Sequence, residues 1–388
     1  MIKKKVLFLG HEASRTGAPL LLLEIIRWLG ENSTLEAAIY LKRGGAIEKD
    51  YAKLAPTFSP RGKSQSMFRK VFRRLHIIGD HEPNLACIYP LKDYPVIYAN
   101  TIDTCQQAMH LAGRGRRIIH HIHEMSYVTD LYQSTDLLRR AEPYTSIYVA
   151  ASGAVMDFLI NIIHVPPTKI QVIHEFPIAG CLRQHCGENR ETIRSRHGIP
   201  EDAFVIGMCG SPCWRKGVDV FISLVQKVRE FHEGKRCHFI WLGGEKGNYR
   251  ESQYDVDKLG FSGCCHFVAG LDRPDAYFEA FDLFALTSRE DPFPVVMLEA
   301  AARGVPIVCF DKSGGAPELV ESDAGIIVPY LDVQAMARAC VDLMLDREML
   351  RRFGNQAKWK VENLYLLEQQ GPKIRSVIQS AFELDRGL

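Results

Sequence analysis

The sequence contains no apolar stretch near the ~20 residues that a membrane-spanning helix requires. It also lacks a CxxC pair and a GxGxxG fingerprint, and its net charge is only +2. Each absence removes a class. Without GxGxxG after the first strand, a nicotinamide dinucleotide is not the expected ligand. Near-neutral charge gives no reason to expect nucleic acid as a partner. The 11 cysteines are odd in number and scattered, with Cys264 and Cys265 adjacent. Cys209 and Cys213 have no second pair to complete a zinc site, so the set reads as reduced, mostly buried thiols of a cytosolic protein. The start, Met1-Ile-Lys-Lys-Lys-Val-Leu-Phe-Leu-Gly10, carries an apolar run of only four residues. It reads as a first strand and not as a signal peptide.

What is present fits an α/β protein in two parts. A chain of 388 residues exceeds one ordinary core. Short apolar strands at Val6–Leu9, Ala37–Leu41, Val96–Ala99, Ile118–Ile122 and Ser146–Ala150 alternate with helical stretches, the first being Leu20–Leu29 with Gly30 as its stop. The pattern restarts at Ala203–Met208, which predicts two doubly wound parallel sheets with a hinge near Glu175–Gly198. The expected domains are residues 1–180 and 198–370, with a final helix from about residue 371 packing back on the first. Charge divides unevenly: residues 1–180 hold 22 Lys+Arg against 16 Asp+Glu, and the remainder 26 against 30. An anionic partner or membrane surface is therefore expected at the N-terminal half. The segment 64–78 puts Phe68, Val71, Phe72 and Leu75 on one helical face, away from most of Arg69, Lys70, Arg73 and Arg74. A membrane-surface helix and a solvated basic helix both fit it.

Three loops at strand ends carry the chemistry. The first holds Gly17, where backbone amides can approach a phosphate. The second, Gly210-Ser-Pro-Cys-Trp-Arg-Lys-Gly217, offers Arg215 and Lys216 to neutralise a diphosphate. The third, Thr287-Ser-Arg-Glu-Asp-Pro-Phe-Pro294, offers Glu290 and Asp291 and leads into a helix. Pro294 suits the first position of that helix, whose leading amides form a site for an anion. Cations for phosphate and acids for hydroxyls suit a nucleotide sugar.

These residues resemble a known family. Arg215-Lys-Gly-Val-Asp219, Ser288-Arg-Glu-Asp-Pro-Phe-Pro294, Leu298-Glu-Ala300, Gly304-Val-Pro306 and Gly314-Gly-Ala-Pro-Glu318 look like glycosyltransferase family 4. The likeness covers nearly all of the C-terminal half, and in the N-terminal half it rests on Gly17, His123 and the strand pattern. It implies a GT-B fold: two Rossmann-like domains facing a cleft, with retention of anomeric configuration. By the same resemblance Asp291 is the first acid of an E-x7-E motif, near the donor sugar's hydroxyls, and Glu299 is the second, on the ribose. Lys216 binds the donor diphosphate. Arg215 substitutes for an arginine that the family places where Ser211 stands. Phe293, Pro294 and Val295 give backbone contacts to sugar and phosphate. His123, in His120-His-Ile-His-Glu124, lies beside the reacting centre, and Glu290 has no assigned role.

The resemblance thus implies a retaining hexosyl-type transferase of polysaccharide or lipopolysaccharide synthesis. Its substrates would be a nucleotide sugar and a glycan or lipid-linked glycan. No cofactor and no metal are expected; Asp255 and Asp257 read as a solvated helix start. The expected location is the cytoplasm, with peripheral contact at the inner membrane surface through 64–78 if that segment binds lipid. Two readings stay open beside it: another nucleotide-sugar enzyme such as an epimerase, and a silent nucleotide-sugar-binding scaffold.

Overall fold

The computed structural model describes residues 4–59, 93–112, 116–178, 189–231, 237–245, 247–270 and 274–384. The basic segment 64–78 lies outside them. Two parallel sheets organise the chain. The first comprises β1 (Lys5–Gly10), β2 (Glu36–Leu41), β3 (Thr57–Phe58), β4 (Val96–Asn100), β5 (Arg117–Ile122), β6 (Thr145–Ala150) and β7 (Ile170–Val172). The second comprises β8 (Phe204–Cys209), β9 (Cys237–Leu242), β10 (Cys265–Val268), β11 (Leu283–Leu286), β12 (Ile307–Phe310) and β13 (Gly325–Val328). Strand order is β3-β2-β1-β4-β5-β6-β7 in one and β10-β9-β8-β11-β12-β13 in the other.

The strands are short apolar runs because helices cover both faces. Every residue of β4, β8 and β9 is buried, as a parallel sheet between helical layers requires. In each sheet the order reverses beside the first strand, between β1 and β4 and again between β8 and β11. Loops leaving the carboxyl ends of those strands part there and open a crevice. These two crevices position the site.

Helix Leu367–Glu383 returns to the first sheet. Its Ile374, Ile378 and Ala381 join the core formed by Val6, Phe8, Tyr98 and helix Gly17–Asn32. Burying a side chain such as Ile378 contributes about 1.5–3 kcal/mol. Gly371 lets the Trp28 ring approach, since a Cβ there would meet the ring at 2.6 Å. Helix Gly17–Asn32 runs through Gly30 and does not stop at it. The Asn32 amide and Ser33 hydroxyl instead bond back to the carbonyls of Trp28 and Leu29, which closes the last turn. Among the described residues no helix is long and apolar enough to cross a membrane.

Under the second sheet, His197, His238 and His266 cluster. The His238 and His266 rings stack at 5.6 Å, and His197 lies 5.4 Å from His266 while its Nε2 bonds to Tyr277. Burial lowers all three, and His266 falls to about 4, helped by His197 and His238. The folded state thus holds them neutral while the unfolded chain protonates near the ordinary histidine value. Their contribution to stability is present above pH ~6.5 and is lost as pH falls toward the lowered folded values. Melting curves between pH 7 and 4 are expected to show Tm falling through this window. The fall should be shallower in His266→Asn, and equal slopes would remove the cluster from the account.

Candidate active site

The loops leaving β8 and β11 meet at the switch point of the second sheet. Lys216 Nζ lies 2.5 Å from Asp291 Oδ2, and Arg215 Nη1 lies 3.5 Å from Asp291 Oδ1. Arg215 also donates to the Glu290 carbonyl at 2.6 Å, and the Ser288 hydroxyl to Asp291 at 3.1 Å. The loops are laced together further out. Arg289 grips Asp219 through both nitrogens at 2.8 and 2.6 Å and donates to the Trp214 carbonyl. Gly217 adopts φ +72° and sits against the Thr287 carbonyl, a position no side chain would fit.

Burial alone would raise the Asp291 carboxyl. Lys216, then Arg215 and the hydrogen bonds from Lys216 and Ser288, outweigh it and hold the group below its ordinary value. Asp291 is therefore an anion framed by two cations. Glu299, eight residues on, is buried on the following helix. It and Lys216 both act electrostatically on the Cys209 thiol at the end of β8, which burial pushes up.

That helix spans Val295–Ala302, and Pro294 is its N-cap and not its first helical residue. The Pro294 backbone is extended, at ψ 113°, and its carbonyl takes the amide of Met297. By helix geometry the leading amides, Val295 and Val296, have no carbonyl upstream and face the loop. The Asp291 amide donates to the Ser313 carbonyl, and Gly315 donates back to the carbonyls of Asp291 and Pro292. The Gly314-Gly315 pair thus pins the acid loop from below.

On the first sheet, the loops after β1, β4, β5 and β7 form a second polar group. His123 is buried; its Nδ1 lies 2.7 Å from Glu175 Oε1 and its Nε2 lies 2.9 Å from Asn100 Oδ1. Asn100 in turn donates to the carbonyl of Ala18, in the first turn of helix Gly17–Asn32. Gly17 opens that helix, and a Cβ on it would meet nothing within 4 Å. No described protein atom demands the glycine. Thr101, between β4 and the next turn, adopts φ +76°, which is strained for a β-branched residue. Its buried hydroxyl has no partner among the described residues. The sequence carried no signal for this strain.

The two groups are tied across the cleft by carboxylates. Glu290 reaches over to accept from the Tyr127 amide at 3.2 and 3.0 Å, capping helix Ser126–Leu131. Beside it, Trp214 packs on Tyr127 at 4.7 Å and beneath the Arg289 guanidinium at 4.7 Å. Glu318 accepts from the amides of Gly153 and Ala154 and lies 2.7 Å from His174 Nε2. The buried Phe293 ring packs against His174 at 4.8 Å, tilted by 48°, and Tyr365 flanks both. Phe293 thus spends its side chain on the joint between the sheets. Glu318→Gln removes the charge from this joint. It is expected to lower Tm by a few degrees and to raise the radius of gyration in solution scattering; an unchanged radius would show that the joint does not hold the sheets together.

Lys216, Arg215 and Asp291 therefore stand in direct contact, whereas His123 and Gly17 form the facing group, linked through Asn100 and Ala18. Among the described residues no group of three or more His, Cys, Asp or Glu is placed to hold a metal ion.

Two doubly wound sheets whose switch-point crevices face one another define the GT-B fold. The same architecture recurs in Anabaena HepE in complex with UDP and glucose, with TM-score 0.76, 21% identity, and 97% of this chain and 100% of that one covered. WaaG, a glycosyltransferase involved in lipopolysaccharide biosynthesis, gives TM-score 0.72 at 15% identity over 96% and 99%. Residues 189–360 match the family model of glycosyl transferases group 1. D-inositol 3-phosphate glycosyltransferase of Corynebacterium jeikeium is 31% identical over 180 residues, covering 44% of this chain and 43% of the relative. Lipopolysaccharide core biosynthesis glycosyltransferase LpsE of Rhizobium meliloti is 26% identical over 164 residues, covering 42% and 46%. The chain spans about half the length of the curated relatives it matches.

Proposed function

We propose that this protein is a retaining, metal-independent glycosyltransferase of family 4 that moves a hexosyl unit from a nucleotide sugar to a glycan or lipid-linked glycan. The observation that carries the reading is the Lys216–Asp291–Arg215 cluster, set with the start of helix Val295–Ala302 at the switch point of the second sheet. In this reading the Val295 amide and Lys216 take the diphosphate, Arg215 assists, and the backbone at Phe293 and Pro294 lines the sugar. Asp291 accepts from sugar hydroxyls and Glu299 from the ribose. Charge that develops on the departing diphosphate meets Lys216 and Arg215, already held in place by Asp291, so little reorganisation is needed. Gly17, with open space above it, lets helix Gly17–Asn32 approach the donor from the other side.

Relatives and structural neighbours that include a D-inositol 3-phosphate glycosyltransferase and lipopolysaccharide glycosyltransferases support a hydroxyl acceptor on a glycan or lipid-linked carrier. The complex of the Anabaena neighbour supports a UDP-sugar as one donor to try first. Incubation with a panel of UDP-, GDP- and ADP-sugars, with and without EDTA, tests the proposal when the anomeric configuration of the product is read by NMR. Retention that survives EDTA is expected; inversion, or binding without turnover for any acceptor, would overturn it. A cytoplasmic site of action at the inner membrane surface, through the 64–78 segment, belongs to the same proposal. Liposome flotation unchanged by neutralising Arg69, Lys70, Arg73 and Arg74 would remove that part.

A further inference from the structure

The His123 ring is held by two groups that both accept. Glu175, in the loop after β7, puts a carboxylate oxygen 2.7 Å from Nδ1, and Asn100, at the end of β4, puts its amide oxygen 2.9 Å from Nε2. The His123 and Glu175 side chains are 6% and 8% exposed, and Asn100 is wholly buried. The Asn100 amide is not free to turn over, because its nitrogen donates to the Ala18 carbonyl at 3.2 Å. With that orientation fixed, each ring nitrogen must donate to be satisfied, since a nitrogen lone pair facing either oxygen would be unpaired.

His121, on the same strand, lies 4.0 Å away ring to ring, and its Nδ1 bonds to the Tyr98 hydroxyl at 2.7 Å. Burial, and then His123, lower it well below the ordinary value, so it stays neutral beside its neighbour. Glu124 is buried and accepts from the amides of His123 and Ile102. His11, after β1, is lowered by burial, with Glu12 and Asp103 opposing and Arg43 and His123 adding to it. Glu175 is thus the one carboxylate in hydrogen-bond contact with the His123 ring among the described residues.

We infer that Glu175 is a positioning residue that, with Asn100, fixes the His123 ring with protons on both nitrogens, so that His123 supplies a fixed positive charge at the cleft and not a base for the acceptor hydroxyl. Such a ring has no lone pair for a substrate proton. Its value to the reaction is electrostatic, and it depends on a carboxylate 52 residues later in the chain that the sheet brings close. The inference rests on the transferase reading for its kinetic arm alone.

The test combines a spectroscopic and a kinetic readout on the full chain. In protein carrying 15N-labelled histidine, with the signal assigned by its loss in His123→Asn, the wild type is expected to show both His123 ring nitrogens protonated from pH 6 to 8.5. Glu175→Gln is expected to show a neutral ring at the upper end of that range, and Glu175→Asp to keep the doubly protonated form. Kinetically, Glu175→Gln should reduce kcat more than donor KM. Its deficit should grow from less than about tenfold at pH 6 to roughly a hundredfold at pH 8.5, since a close carboxylate favours the charged ring. Glu175→Asp should restore most of the high-pH activity. A His123 ring that is neutral at pH 8.5 in the wild type overturns the inference, and so does a deficit of Glu175→Gln that is uniform across pH. If no donor is turned over, the spectroscopic arm still decides the matter, and the failure falls on the transferase reading instead.

Discussion

Replacing Lys216 with alanine is expected to cut kcat/KM for the sugar donor by roughly 10²–10³, the usual loss when one group that stabilises developing negative charge is removed. Two effects combine in that variant. The cleft loses the cation proposed to meet the diphosphate, and the buried Asp291 keeps only Ser288 and Arg215, the latter at 3.5 Å. Leaving a buried acceptor short of partners costs about 1–3 kcal/mol, so Tm should fall as well. The sign with pH follows from the lowered Asp291 carboxyl: its contribution to stability is present above the ordinary aspartate value and lost below it, and the variant should lose that part of the acid limb. Lys216→Arg retains charge but not the compact point contact, and an intermediate rate is expected. Full activity in Lys216→Ala, with any donor, would mean that the diphosphate lies elsewhere.

The second large effect is expected at Gly314. Its φ of +130° suits only glycine, and a Cβ there would be driven into the Asp291 carbonyl oxygen. Gly314 pairs with Asp291 as an isolated bridge, so the clash falls on the backbone that presents the acid. Backbone strain and overpacking together make a loss of about 3 kcal/mol or more for Gly314→Ala. Activity should fall with it, because the neighbouring Gly315 has no slack. A Cβ on Gly315 would lie 2.7 Å from Ser152 Cβ on the other side of the cleft. Chemical unfolding and donor turnover measured on the same preparation check this. Wild-type stability in Gly314→Ala would show that the acid loop is free to shift.

Most of the fold was legible because its strands are short apolar runs bounded by polar loops, and the restart near Ala203 marked a second unit of the same kind. Strand order was not legible: periodicity records which residues are buried but not which strand lies beside which. The contact of Arg215 and Lys216 with Asp291 was legible because those residues fall in two loops of recognisable pattern. The contacts that join the sheets were not visible. Glu290 stands beside Asp291 with nothing in the sequence to say that it points across the cleft to Tyr127. Glu318 sits in a glycine-rich motif whose partners, Gly153 and His174, lie more than a hundred residues earlier. In the sequence Glu175 marks only the edge of a hinge, and its pairing with His123 needs β5 and β7 to be placed by the sheet. Pro294 stands one position before the helix start that its sequence suggests, because proline fixes φ but leaves ψ open, and here ψ is extended.

We propose that the crevice between Lys216, Asp291 and the start of helix Val295–Ala302 holds the diphosphate of a nucleotide sugar. A crystal structure of the protein soaked with a UDP-, GDP- or ADP-sugar that it turns over tests this most directly. Diphosphate oxygens are expected within about 3 Å of Lys216 Nζ and of the Val295 amide, at ordinary hydrogen-bond distance. Nucleotide bound at any other place on the chain, with this crevice unchanged, would contradict it.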